Sequence, residues 1–253
     1  MAACEWLLLP VAGSVMLCLL LVPLGYQVIA RGVIFADLAI AQWAALGTLA
    51  GVHLLGGQML AGASVSSLLF ALLAALAVHL IFQRVSRGRE AWIGVLYVLG
   101  ANLAVLLVSG DPHGAQALQS SASGDLLWAA PPLVWATSVL VLCVWVMGFC
   151  YPEWMVGRAF LPVFAVAVTY TVALAGIYVV FATLIITPLF LRRMPPFHAA
   201  FVAISGHLAG LVCSVTFDLP VGPAVVVAML GVTLMVYGAL PLLPLRPGQP
   251  AQV

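Results

Sequence analysis

The stretch Arg31–Gly51, RGVIFADLAIAQWAALGTLAG, decides the fold. It is apolar and long enough to cross a bilayer, yet Asp37 and Gln42 lie inside it. A carboxylate at the bilayer centre costs roughly 3 kcal/mol on insertion scales and more by other measures. Such a group faces a bundle interior or a wet cavity, so its default reading is functional. Gly32, Gly47 and Gly51, with alanines between, smooth one side of the helix. Small residues let helix backbones approach closely in lipid. The segment therefore reads as a central helix of a membrane bundle rather than a lipid-facing anchor.

The rest of the chain agrees. Of 253 residues, 65% are hydrophobic and 6% charged, with a mean hydropathy of +1.25. Soluble domains are about 25% charged, so this composition cannot cover a water-facing surface. All eight basic residues are arginine, and the net charge is +1. That excludes nucleic-acid binding through a basic surface. The five cysteines (Cys4, Cys18, Cys143, Cys150, Cys213) form no CxxC pair and read as small apolar fillers. The N-terminus lacks the basic region of a secretory signal, so the first apolar run is expected to be a retained span.

Apolar runs of about 20 residues match a ~30 Å hydrocarbon core. They predict spans over 6–29, with Pro10, Pro23 and Gly25 as kink points, then 31–55, 59–82, 91–108 and 126–147. The run 161–191 fits one long tilted helix or two short crossings broken near Gly176. Spans over 197–217 and 224–243 follow. The loop 83–90 carries Arg84, Arg87 and Arg89 and is expected to be cytoplasmic; the loop 109–125 has no arginine and is expected outside. A single crossing over 161–191 would put Arg192 and Arg193 outside, against the positive-inside rule. Two crossings put them inside, and the rule favours two. The expected fold is one all-α polytopic membrane domain, residues 1–253, of about 8–9 helices, without an internal repeat.

No GxxxxGK[ST] loop, GxSxG elbow or HExxH motif is present, so the chain is not expected to be an enzyme. Asp37 either lines a cation pathway or is a structural carboxylate held by Arg31 or by a neighbouring helix. Arg31 lies six residues away, about 9 Å along the axis. Gln42 is about 140° around the helix from Asp37 at ~100° per residue, so the two do not chelate together. His53 is roughly 24 Å from Asp37 and cannot share a metal with it. His79 lies at about the depth of Asp37 and could meet it; His207, between glycines, could contact a cation in mid-membrane. For each histidine the packed, hydrogen-bonded reading is the favoured one. Asp111, His113 and Asp125 lie in the outer loop, where DPHG is a turn sequence.

Four stretches resemble one family, the permease subunits of metal-type ABC importers for zinc, manganese or iron (the ABC-3 family). PLGYQVIARGVIFADLAIAQWAALG is similar to its first-to-second-span signature, LAGIYVVFATLIITP to its glycine-led apolar run, and Asp218–Pro223 (DLPVGP) to its outer turn. PEW at Pro152–Trp154 sits where its cytoplasmic coupling segment starts. The resemblance implies a bundle like those of type II ABC importer permeases, paired as a homodimer or with a second permease around a central pathway. It implies an ATPase subunit docked near Pro152, Glu153 and Arg158, and a periplasmic or lipoprotein metal-binding protein outside. The metal ion is the transported substrate, with Asp37, His79 and His207 as pathway candidates. No cofactor is expected on this chain, and the setting is a bacterial inner membrane. Two departures stand out: Ala41 occupies the place of the family's histidine four after the Asp, and the coupling segment is shorter. The second motivates an alternative, a non-transporting scaffold or assembly subunit. An ATP-independent secondary carrier is a third reading.

Overall fold

The computed structural model describes residues 7–31, 35–54, 59–60, 63–85, 88–114, 116, 118–119, 124, 126–155, 157 and 159–239. Among them are the helices α1 (Leu8–Ala30), α2 (Ala36–Leu54), α3 (Val65–Arg84), α4 (Arg89–Val108), α5 (Pro131–Cys150), α6 (Phe160–Phe190), α7 (Pro196–Phe217) and α8 (Val221–Ala239). All but α2 are long and apolar enough to cross a membrane. The chain is thus a multi-pass, all-α membrane protein. Leu69, Leu73, Leu106, Leu142 and Val227 are exposed, as a lipid-facing ring requires. In water such a belt would far exceed the apolar patches soluble proteins tolerate.

Helix α2 is enclosed by α3, α4 and α6. Ala39, Ile40 and Ala44 are fully buried. The smooth face expected from the sequence is used by α3: the Ser67 hydroxyl donates to the Ala44 carbonyl at 2.8 Å. A Cβ at Gly47 would lie 2.6 Å from the Ser66 carbonyl oxygen. On the α4 side, Trp43 Nε1–H donates to the Leu96 carbonyl at 2.9 Å. Gly100, where a Cβ would come within 2.8 Å of the indole, leaves the room. Such interhelical bonds contribute about 0.6 kcal/mol each in lipid, so small-residue packing holds this core more than its polar bonds do.

Helix α6 resolves the ambiguous run. It breaks at Gly176 (φ 80°, ψ 166°). Contacts with α1 show the path of the two halves. The Arg31 guanidinium lies 4.0 Å from the Phe160 ring centre. Leu174 lies beside Gly13, near the opposite end of α1. The chain then returns: Leu184 and Pro188 pack on Gly25, and the Tyr26 hydroxyl donates to the Leu191 carbonyl at 2.7 Å. The halves therefore form a hairpin inside the bundle, each roughly 20–24 Å long. Arg192 and Arg193 come back to the end that holds Arg31, Arg84 and Arg89. By the positive-inside rule that end is cytoplasmic.

Other boundaries shift. The span expected from residue 59 starts at Val65, because Met59–Leu60 and Ala63–Ser64 pair as a tight antiparallel hairpin. Tyr170 of α6 ties this hairpin down by donating to the Leu60 carbonyl at 3.1 Å. The span expected from residue 126 starts at Pro131, since Leu126–Trp128 is a separate 3₁₀ turn. The last helix starts at Val221 rather than at residue 224 and runs to Ala239; the rest of the expected span, 240–243, lies outside the described residues. Helix α1 continues through Pro10, Pro23 and Gly25 without a break.

Candidate functional site

Asp37 lies in the first turn of α2 and is 1% exposed. Its depth is therefore the inner end of the helix, not the bilayer centre. Neither carboxylate oxygen has a hydrogen-bond partner among the described residues. The backbone N–H groups of Asp37 and Leu38 are nearby, but outside hydrogen-bond geometry. The expected alternative of a carboxylate held by a neighbouring helix finds no support in these contacts. An enclosed acid with two unused acceptors costs stability, and intramembrane acids of this kind mark ion pathways.

His79 stands on α3 near its inner end, half-exposed, with Nε2 2.9 Å from Gln83 Nε2. It lines a cleft of about 220 Å³ between α3 and the start of α6, with Leu72, Ala75, Leu76, Leu161 and Pro162. No hydrogen bond joins it to Asp37. The cleft walls are apolar apart from the imidazole, so His79 would supply its only strong ligand.

His207 is fully buried on α7, a helix packed chiefly on α8 and α1. The Thr183 hydroxyl donates to the Val179 carbonyl at 2.7 Å. Its one proton is thereby used, so it accepts from His207 Nε2–H at 2.9 Å. Nδ1 of His207 is left without a partner among the described residues. The Thr183 hydroxyl also lies 3.9 Å from the Met229 sulfur, and Thr187 meets Thr233 at 3.3 Å. These contacts knit α6, α7 and α8 together, so His207 is an interhelical clamp. Thr183→Val should strand a second ring nitrogen and cost about 1–3 kcal/mol. The check is the thermal midpoint in detergent; the loss should shrink when His207→Leu is already present, because the two share one bond.

No hydrogen bond joins any two of the three candidates among the described residues. Among the described residues no group of three His, Cys, Asp or Glu side chains could hold a metal. The four described cysteines (Cys18, Cys143, Cys150, Cys213) are free. His53 stands at the far end of α2 from Asp37. In the outer loop His113 lies 3.9 Å from Asp111.

At the inner end Pro152–Met155 forms one 3₁₀ turn, with Glu153 exposed and Trp154 buried. Arg158 lies outside the described residues. At the outer end Asp218 adopts a left-handed conformation (φ 52°) between α7 and α8. The turn closes through Leu219 N–H, which donates to the Ser214 carbonyl at 3.0 Å.

The solved structure of PsaBC from Streptococcus pneumoniae, in complex with Fab, superposes with a TM-score of 0.76 at 16% identity. The match covers 92% of this chain and 91% of that one. The two share a fold. No family model matches the sequence, and no curated protein does. At this identity the likeness speaks for the arrangement of helices and not for the site. The Thr183–His207–Met229 group is not foreseen from the sequence. Its one available signal is Thr183 and Thr187, four apart and so on one helix face.

Proposed function

We propose that this chain is the membrane-spanning permease subunit of an ATP-binding cassette importer for divalent metal ions (zinc, manganese or iron) or their chelates, in a bacterial inner membrane. The observation that carries it is Asp37, a fully enclosed carboxylate with both oxygens unpartnered among the described residues, in a chain that shares the PsaBC fold. A hard, anionic oxygen pair suits a divalent cation in passage. The motif resemblance supports the same reading. Two copies, or this chain and a second permease, would flank the pathway. A separate ATPase would engage the inner turn at Pro152–Met155, and a periplasmic or lipoprotein metal-binding protein would deliver the ion outside.

Co-purification separates this from a scaffold or a secondary carrier. The tagged full-length chain should bring down an ATPase, and vesicles holding the pair should accumulate Mn(II), Zn(II) or Fe(II) only with ATP. Proton- or sodium-driven uptake without any ATPase would overturn the proposal. Reversing Glu153 and Arg158 together (E153R/R158E) is expected to lower ATP-driven uptake at least tenfold while the chain stays in the membrane. Unchanged uptake would remove the docking role of that turn.

A further inference from the structure

We infer that Arg31 is a positioning residue that couples the inner turn Pro152–Met155 to helix α2 and Asp37; this rests on the importer reading above. The contact joins residues 126 apart in sequence. The Arg31 guanidinium carbon stands 4.0 Å from the centre of the Phe160 ring. Its Nη2 donates to the Gly157 carbonyl at 3.5 Å. Gly157 belongs to the link between the inner turn and α6, and Phe160 is the first residue of α6. Gly157 N–H in turn donates to the Glu153 carbonyl at 3.0 Å and the Trp154 carbonyl at 3.1 Å. Phe160 is 1% exposed and stacks on Phe164, centroids 5.4 Å apart and rings 15° from parallel. The ring is therefore a fixed anvil and not a loose surface group.

On its other side Arg31 is equally constrained. It caps α1, its N–H donating to the Gln27 carbonyl at 3.1 Å. Asp37 follows in the first turn of α2. Arg31 thus joins the end of α1 to the Gly157–Phe160 stretch that follows Glu153, and α2 begins at Ala36, close behind it in the chain. Retaining positive charge inside requires a cation here, but it does not require an aromatic face and a carbonyl to receive it. A flat, delocalised cation stacks on an aromatic ring and donates from its edge at the same time, which an ammonium does less well.

The test uses proteoliposomes of the full chain with its co-purifying ATPase, and reads Mn(II), Zn(II) or Fe(II) taken up per ATP hydrolysed. Arg31→Ala and Phe160→Leu should each lower that ratio at least fivefold, with hydrolysis by the assembled complex within twofold of wild type. The double variant should be no worse than the poorer single, and Arg31→Lys should fall between. Should Arg31→Ala not reach the membrane, Phe160→Leu decides the question alone. A ratio unchanged in assembled complexes overturns the coupling role; a purely structural role would reduce assembly and leave the ratio alone. Wild-type proteoliposomes with no ATP-driven uptake would sink the importer reading, and the coupling role with it.

Discussion

Gly176→Ala is expected to lower the thermal midpoint of the detergent-solubilised protein by roughly 5–10 °C. The residue sits at φ 80° and ψ 166°, a region that only glycine occupies without strain, at about 1–3 kcal/mol for other residues. For a chain of this size each kcal/mol shifts the midpoint by roughly 2–4 °C. The site has little slack, because the Gly124 backbone lies directly against Ala175 and Gly176. Gly124 itself has φ 63°, and a Cβ there would collide with the Ala175 carbonyl. Gly176→Val should lose most folded material, since a branched side chain tolerates positive φ least. A midpoint within a degree of wild type for Gly176→Ala would mean that the two halves of α6 are not held by this turn.

Asp37→Asn is expected to move function and stability in opposite directions. The amide keeps the volume and removes the charge. If the carboxylate serves cations in passage, metal uptake should fall at least tenfold, while the ATPase still co-purifies. The carboxylate has no partner to lose among the described residues, so removing its charge should leave the fold unharmed or stabilise it by about 1–3 kcal/mol. Stability given up at a functional position is a common trade. A structural carboxylate predicts the reverse, a destabilised chain and uptake reduced only through lower abundance. Measuring both on one preparation decides between them. Normal uptake would remove Asp37 from the pathway.

The membrane class and most spans are legible in the sequence, because a bilayer imposes one length and one polarity on every crossing. The distribution of arginine carries further: it favours a break near Gly176 in an unbroken apolar run, and the hairpin of α6 is that arrangement. Turn chemistry in apolar surroundings is harder to read. Met59–Ser64 reads as the start of a helix, yet its ends pair as a short hairpin, because hydropathy cannot tell an apolar turn from an apolar span. Pro23 reads as a kink in α1 and is accommodated within a continuous helix. For the site, Asp37 stands out as a charge where charge is costly. Which side chains surround it is not legible, because which helices neighbour one another depends on packing that no local pattern encodes. Likewise Arg31 is visible as a topology signal, but its seat on Phe160 depends on a helix more than a hundred residues later.

Gly124 and the Ala175–Gly176 link have a practical consequence. Two main chains in touch, with no side chain to cushion them, transmit displacement almost without loss. Any change in the angle between the halves of α6 would therefore bear directly on Gly124. A dye attached there, on the side away from the arginines, would report what the buried hairpin is doing without anything being placed in the membrane.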